Sequence, residues 1–183
     1  MPPWRRQTAR VLPVDPEGRV LLLHGWDPRR PEAPFWFTIG GGAEPGESLP
    51  EAAARELARP LPPGLAERTE FTFLGRAWAA AVADEAALKL REASRTWAES
   101  YPAMEYRHGP ISVSDENTVV WALGDVPPGL LADACRTGAL VIASDADPLA
   151  GLVGAQRLAA VLAERKGIDP DQPRALSRSV ILA

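Results

Sequence analysis

One segment of this 183-residue chain constrains its fold most: an apolar strand followed at once by an amphipathic helix. Residues 70–76 form an apolar run that ends in glycine and arginine. Apolar side chains then recur at helical spacing, at Val82, Ala86, Leu90, Ala93 and Trp97. A strand, a glycine turn and a helix begin a βαβ unit with a parallel sheet. The sequence therefore predicts an α/β fold for the second half of the chain.

The later elements continue this alternation. Residues 118–123 and 139–143 read as buried strands, and residues 127–137 as a short helix that Gly138 ends. Asp147 and Pro148 are an N-cap and a first-turn proline, and they open a helix that runs to Gly167. That helix is expected to bury Leu149, Leu152, Val153, Gln156, Ala160 and Ala163. A five-stranded lobe needs one more strand, so either residues 111–113 pair as its edge or a strand has been deleted.

Charged residues on the first helix offer two interpretations. Glu85, Lys89 and Glu92 share the face opposite the apolar stripe, at spacings of four and three residues. On spacing alone they form a solvated ion-pair ladder. A functional interpretation comes from two motifs further along the chain. These are Glu-Ser-Tyr at residues 99–101, expected in a loop, and Glu-Tyr-Arg-His-Gly-Pro at residues 105–110.

This order of motifs resembles the SIS (sugar isomerase) family, in particular the second SIS lobe of glucosamine-6-phosphate synthase. Leu-Lys-Leu-Arg-Glu at residues 88–92, the 99–101 step and the His-Gly-Pro motif match it, and residues 169–180 resemble the family's C-terminal tail. The resemblance covers residues 66–183. It implies a flavodoxin-like parallel-sheet lobe, binding of a phosphorylated sugar, a homodimer and no cofactor.

The resemblance also implies roles for individual residues. Glu92 corresponds to the base that moves a proton between C1 and C2 of the open sugar, with Lys89 beside it. His108 corresponds to the histidine that opens the sugar ring and that the family supplies across a dimer interface. A packed turn residue is the alternative for His108. Ser177 and Arg178 correspond to substrate-binding positions of the tail.

Three departures from the family weigh against full catalysis. Arg178 replaces a lysine that forms an imine, and a guanidinium stays protonated. The Ser/Thr-rich phosphate loop of the first SIS lobe is not found, and neither is a glutaminase domain. A non-catalytic module that senses a phosphosugar is therefore a second hypothesis.

The first third of the chain carries a different pattern. Residues 8–14, 19–25 and 35–39 read as strands, the first two as a hairpin, with a charged loop at residues 27–34. Ser48 and Glu51 form a capping box that opens a helix over residues 51–58. This β-rich segment resembles the front half of a Nudix hydrolase.

The Nudix box is matched at Gly41, Glu47, Arg55, Glu56 and Leu57. Carboxylates one helical turn apart can hold Mg²⁺ against a diphosphate, so Glu56 is a candidate metal ligand. Arg59 and Pro60 then stand where two further glutamates belong, and Pro62 replaces the closing glycine. We expect a truncated Nudix-like remnant at residues 1–58, with Mg²⁺ only if it is active, a linker at 59–65 and an SIS-like domain at 66–183. The junction suggests the hypothesis that two unrelated coding segments were joined.

Composition limits the remaining function classes. The net charge of −4 provides no basic field for nucleic acid. A single cysteine, Cys135, excludes disulfides within the chain. No apolar run has the length of a signal peptide or a membrane span, so a cytoplasmic location without membrane contact is expected.

Overall fold

The computed structural model describes part of the chain. It gives the backbone of four strands within residues 8–42, Ser48, and residues 60–143, 147–170, 172 and 174. The predicted helix at 51–58 lies outside the described residues.

The first part of the chain contains two antiparallel strand pairs. β1 (Thr8–Val11) pairs with β4 (Ile39–Gly42), and β2 (Leu23–Asp27) pairs with β3 (Arg30–Phe37). The described residues of the first two strands do not pair with each other, and the rest of the predicted hairpin, residues 12–22, lies outside the described part of the chain. Most of the predicted charged loop is strand β3. Its prolines are tolerated because each strand of a two-stranded sheet is an edge strand, where missing N–H donors can face away from the ladder.

The second part is built on a four-stranded parallel sheet, which confirms the predicted α/β fold. Its strands are β5 (Glu70–Gly75), β6 (Trp97–Pro102), β7 (Thr118–Leu123) and β8 (Leu140–Ile142), in the order β6-β5-β7-β8. β6 contains the Glu-Ser-Tyr step, for which the sequence predicts a loop. The candidate edge strand at residues 111–113 is also wrong, since these residues lie in the 3-10 turn Pro110–Val113.

Helix α1 (Trp78–Ser94) connects β5 to β6 and buries Val82, Ala86 and Leu90 as predicted. It ends earlier than its apolar spacing indicates, because Arg95 adopts a left-handed conformation with φ of 50°. There the backbone N–H of Arg95 donates to the Arg91 carbonyl. Trp97 therefore does not extend the helical stripe. It is the first residue of β6 and is 68% exposed.

Two further helices complete the lobe: α2 (Leu130–Arg136) and α3 (Pro148–Arg165). The predicted N-cap of α3 is confirmed, since the Asp147 carboxylate accepts a hydrogen bond from the Leu149 N–H at 3.0 Å. Its buried face is rotated from the prediction, so that Ala160 is exposed and Gln156 only half-buried. The residues it buries are Ala150, Leu152, Val153, Ala155, Leu158, Ala159, Leu162 and Ala163.

The sheet is covered on both faces. α1 and α3 pack together on one face, where the rings of Phe73 and Trp121 stack with centroids 5.7 Å apart. On the other face, Leu74 and Val120 pack against Leu130 of α2 and against Tyr106. Strands buried on both faces are typical of parallel sheets, and β7 is buried along its whole length.

Candidate functional site

Lys89 lies between two carboxylates on the outer face of α1. Its Nζ is 3.3 Å from Glu85 Oε1 and 3.3 Å from Glu92 Oε2. The side chains are 35%, 17% and 31% exposed for Lys89, Glu85 and Glu92 respectively. A solvated ladder would be more exposed, so this triad occupies a partly desolvated surface where charge interactions are stronger than in bulk water.

Burial and the neighbouring carboxylates shift the pKa of Lys89 in opposite directions. Burial lowers the pKa of this amine, but attraction to Glu85 and Glu92 outweighs it and leaves the pKa above its ordinary value. Lys89 therefore remains an ammonium group near neutral pH. In this state it can hold Glu92 in place or balance negative charge on a bound molecule, but it cannot act as a base.

His108 lies on a loop after β6. It ends the 3-10 turn Tyr106–His108 and is exposed, and the next residue, Gly109, has φ of 151°. Tyr106 anchors the turn: its ring is fully buried, and burial raises the pKa of its hydroxyl. Tyr106 thus ties the turn to the core, while the imidazole two residues further on is exposed.

The topology separates His108 from Glu92 within one chain. Gly75 and Pro102 are paired at the carboxyl edge of the sheet, and α1 starts three residues after Gly75. Glu92 lies 14 residues into α1, about 20 Å along its axis toward the amino edge. His108 comes six residues after Pro102 and stays near the carboxyl edge. The structure brings Lys89 and Glu92 together and places His108 elsewhere.

The polar residues of β6 form a further contact. The Tyr101 hydroxyl donates to Glu99 Oε2 at 3.0 Å. Burial raises the pKa of Tyr101, and the neighbouring Glu99 carboxylate raises it further. The Glu-Ser-Tyr step is therefore a half-buried part of the edge strand.

Several predicted site residues lie outside the described part of the chain. They are Ser177 and Arg178 of the tail, and Glu47, Arg55 and Glu56 of the Nudix-like segment. Gly41 lies opposite Ala9 in the β1–β4 pair. Among the residues that the structure describes, no group of three His, Cys, Asp or Glu side chains could hold a metal ion. Within the same residues, no helix is both long and apolar enough to cross a bilayer.

Sequence reasoning missed a group of basic residues at the amino edge of the sheet. Arg68, Arg95, Arg165 and Lys166 line one cleft there. They are separated by up to about a hundred positions, so no local pattern connects them.

A four-stranded parallel sheet with helices on both faces carries the Lys-Glu and His-Gly-Pro motifs, and these features define the C-terminal part of the chain as an SIS-like region. This region matches the isomerase domain of glutamine–fructose-6-phosphate aminotransferases. The chain is 36% identical to that of Nostoc sp. over 75% of this chain and 25% of the relative. It is 35% identical to the aminotransferase of Thermus thermophilus, over 79% of this chain and 31% of that relative. The chain thus spans a quarter to a third of these relatives.

Solved structures agree with the fold. Glucosamine-6-phosphate deaminase from Thermotoga maritima is 30% identical, with a TM-score of 0.58 over 70% of this chain and 44% of that protein. A protein from Silicibacter pomeroyi described as a phosphosugar isomerase is 28% identical, with a TM-score of 0.54 over 67% of this chain and 46% of that protein. The first part of the chain matches the family model of the NUDIX domain, at residues 4–59.

Proposed function

We propose that residues 66–183 bind a phosphorylated sugar and are related in function to aldose–ketose isomerases. The observation that supports this most directly is the Lys89–Glu92 pair, half-buried with Nζ and Oε2 at 3.3 Å. The relatives are named for amino or phosphorylated hexoses, which agrees with this substrate class.

In this proposal Glu92 is the base that transfers a proton between C1 and C2 of the open sugar. Lys89 supports it by fixing the carboxylate and by balancing the negative charge of an enediolate intermediate. His108 opens the ring. Because Glu92 and His108 lie toward opposite edges of one sheet, a site that uses both needs His108 from a second copy.

A two-fold dimer meets this requirement, since each copy then gives His108 to the other and receives it in return. Without such an assembly, the lobe binds phosphosugar without turning it over. Light scattering after size exclusion, with and without fructose 6-phosphate, distinguishes these forms. A strict monomer in both conditions would contradict a shared site.

Ligand binding is tested by thermal unfolding. Fructose 6-phosphate or glucosamine 6-phosphate should raise the Tm, because a ligand of the native state stabilises it. Glu92→Gln should reduce the shift and abolish any isomerase turnover, while the exposed Glu164→Gln on α3 serves as a control of equal charge change. No shift with either sugar would refute the proposal.

Complementation tests the shared site. Glu92→Gln and His108→Asn variants should each be inactive alone. After they are unfolded and refolded together in equal amounts, half of the dimers are mixed, and each mixed dimer has one intact site of two. We expect about a quarter of wild-type turnover. Recovery that never exceeds the single variants would show that both residues act within one copy, or not at all.

A Mg²⁺-dependent hydrolase of nucleoside diphosphate derivatives is the second candidate, favoured by the NUDIX match at residues 4–59. The donor set does not fit a complete metal site, because Arg59 stands where the box has a carboxylate. Turnover of such substrates with Mg²⁺ that Glu56→Gln abolishes would establish this activity.

A further inference from the structure

The C-terminal ends of α1 and α3 and the segment before β5 border a concave site, here called the basic cleft. It has a volume of about 320 Å³, within the range of small-molecule sites. Neither Lys89, Glu92 nor His108 lines it. Its lining is Ala66, Glu67, Arg68, Thr69, Arg95, Thr96, Trp97, Leu162, Arg165 and Lys166.

The charge of the basic cleft is opposite to that of the whole chain. Four cationic side chains and one carboxylate, that of Glu67, give its lining a net charge of +3. The whole chain carries −4. Positive charges held around one concavity raise the local concentration of anions, so this arrangement favours a negatively charged ligand.

Two of the cations are fixed in position. Lys166 Nζ donates to the Thr96 hydroxyl at 2.6 Å and to the Ser94 carbonyl at 2.9 Å, which leaves one of its three donors for a ligand. Arg165 Nη1 donates to Glu67 Oε1 at 3.0 Å and to the Ala66 carbonyl at 3.1 Å. Burial lowers the pKa of Lys166, and a bound anion would reverse this effect.

The other two cations, Arg68 and Arg95, form no salt bridge within the described part of the chain, although the charge of Arg68 adds to the lowering of the pKa of Glu67 by Arg165 and of the pKa of Asp115 by the Asn117 N–H. Across residues 60–143 and 147–170, no carboxylate lies within ion-pair distance of either side chain. Arg68 is half-buried, and Arg95 is exposed in its left-handed position directly after α1. Guanidinium groups bind phosphate with two parallel hydrogen bonds, which makes this pair suited to a phosphate-bearing ligand.

An aromatic surface borders the same cleft. Trp97, at the start of the edge strand β6, is 68% exposed although it is the largest type of side chain. An exposed indole beside bound phosphate offers a flat apolar surface on which a base can stack.

We propose that the basic cleft binds a nucleoside diphosphate, with its two phosphates on Arg68, Arg95, Arg165 and Lys166 and its base on Trp97. One phosphate group carries about −1.5 to −2 at neutral pH, which leaves the lining positive, whereas two linked groups match its charge. This site is additional to the phosphosugar site proposed above, and it does not depend on that function.

Calorimetry with the full chain tests this proposal, with inorganic pyrophosphate and ADP as probes at constant ionic strength. Both should bind, and the double substitution Arg68→Gln, Arg95→Gln should weaken both by about tenfold or more. Arg76→Gln, an exposed arginine near the opposite edge of the sheet, should bind like wild type. Glu92→Gln should also bind like wild type, which distinguishes this site from the phosphosugar site.

The contribution of Trp97 to binding is measured by the difference in affinity between ADP and pyrophosphate. ADP should bind more tightly than pyrophosphate, and Trp97→Ala should remove that advantage while leaving pyrophosphate binding unchanged. Failure of both probes to bind, or equal binding by the double arginine variant, would overturn the site. Equal affinity for both probes in the wild type would overturn the role of Trp97.

Discussion

The hydroxyl of Tyr106 lies 2.6 Å from the hydroxyl of Ser114 and joins the two sides of the loop that carries His108. Tyr106 is fully buried against Leu74 and Val120, so this bond ties an exposed turn to the core of the lobe. The position of His108 therefore depends on a contact that spans eight residues and that the His-Gly-Pro motif itself does not contain.

Tyr106→Phe should destabilise the protein by about 1 kcal/mol, because it removes this hydrogen bond and keeps the ring. Ser114→Ala should cost a similar amount, since it leaves the Tyr106 hydroxyl without that partner. Urea unfolding of both single variants and the double variant measures their coupling. Strictly additive losses would show that the two hydroxyls do not interact.

Ala77 precedes α1 with φ of 52° and ψ of −123°, a conformation that L side chains rarely adopt. Ala77→Gly should relieve strain and stabilise the protein by about 1 kcal/mol or more. The matched control is Ala80→Gly inside the helix, which should destabilise by about 1 kcal/mol because of its backbone entropy. Chemical denaturation should therefore show changes of opposite sign, and a loss of stability for both variants would contradict the assigned strain.

Gly75 ends β5 where the chain turns toward α1. A Cβ atom there would lie 2.0 Å from the backbone carbonyl oxygen of Ala79, and the backbone has little room to move. Gly75→Ala should cost about 3 kcal/mol or more.

Gly151→Ala is a useful comparison with Gly75→Ala. Its Cβ would meet the Leu123 Cδ2 atom at 2.5 Å, and this methyl group can rotate away. We expect a loss of about 1 kcal/mol, measured in the same unfolding assay. Equal losses at the two glycines would show that the turn after β5 adapts as readily as a side chain.

The shifted pKa of Asp115 makes the stability of the protein depend on pH in a direction that can be stated. The Asn117 backbone N–H, with further hydrogen bonds from the Asn117 side chain and the Thr118 hydroxyl, lowers the pKa of Asp115 below its ordinary value of 3.8. Its stabilising contribution is therefore present above pH 3.8 and is lost as the pH falls through the lower folded value. Asp115→Ala should be less stable than wild type at pH 7, and the difference should vanish in strong acid. NMR titration of Asp115 above 3.8 would contradict this assignment.

Much of the SIS-like fold could be predicted because its buried strands are continuous apolar runs. β7 is buried at all six positions, and β5 at five of six, so both were evident from local sequence. β6 was not, because an edge strand with Glu99, Ser100 and Tyr101 half-buried has neither an apolar run nor a clear alternation. Its pairing with β5 is a long-range interaction that local sequence does not encode.

The sequence by itself determined the Lys89–Glu92 pair, since the helical period fixes neighbours three residues apart. It also determined the N-cap of α3, which depends on adjacent residues. Only the tertiary structure decided that Glu92 and His108 lie toward opposite edges of the sheet, and that Arg68, Arg95, Arg165 and Lys166 meet in one cleft. These relationships depend on the direction of α1 across the sheet and on how the ends of α1 and α3 pack, and both are set by contacts between residues far apart in the chain.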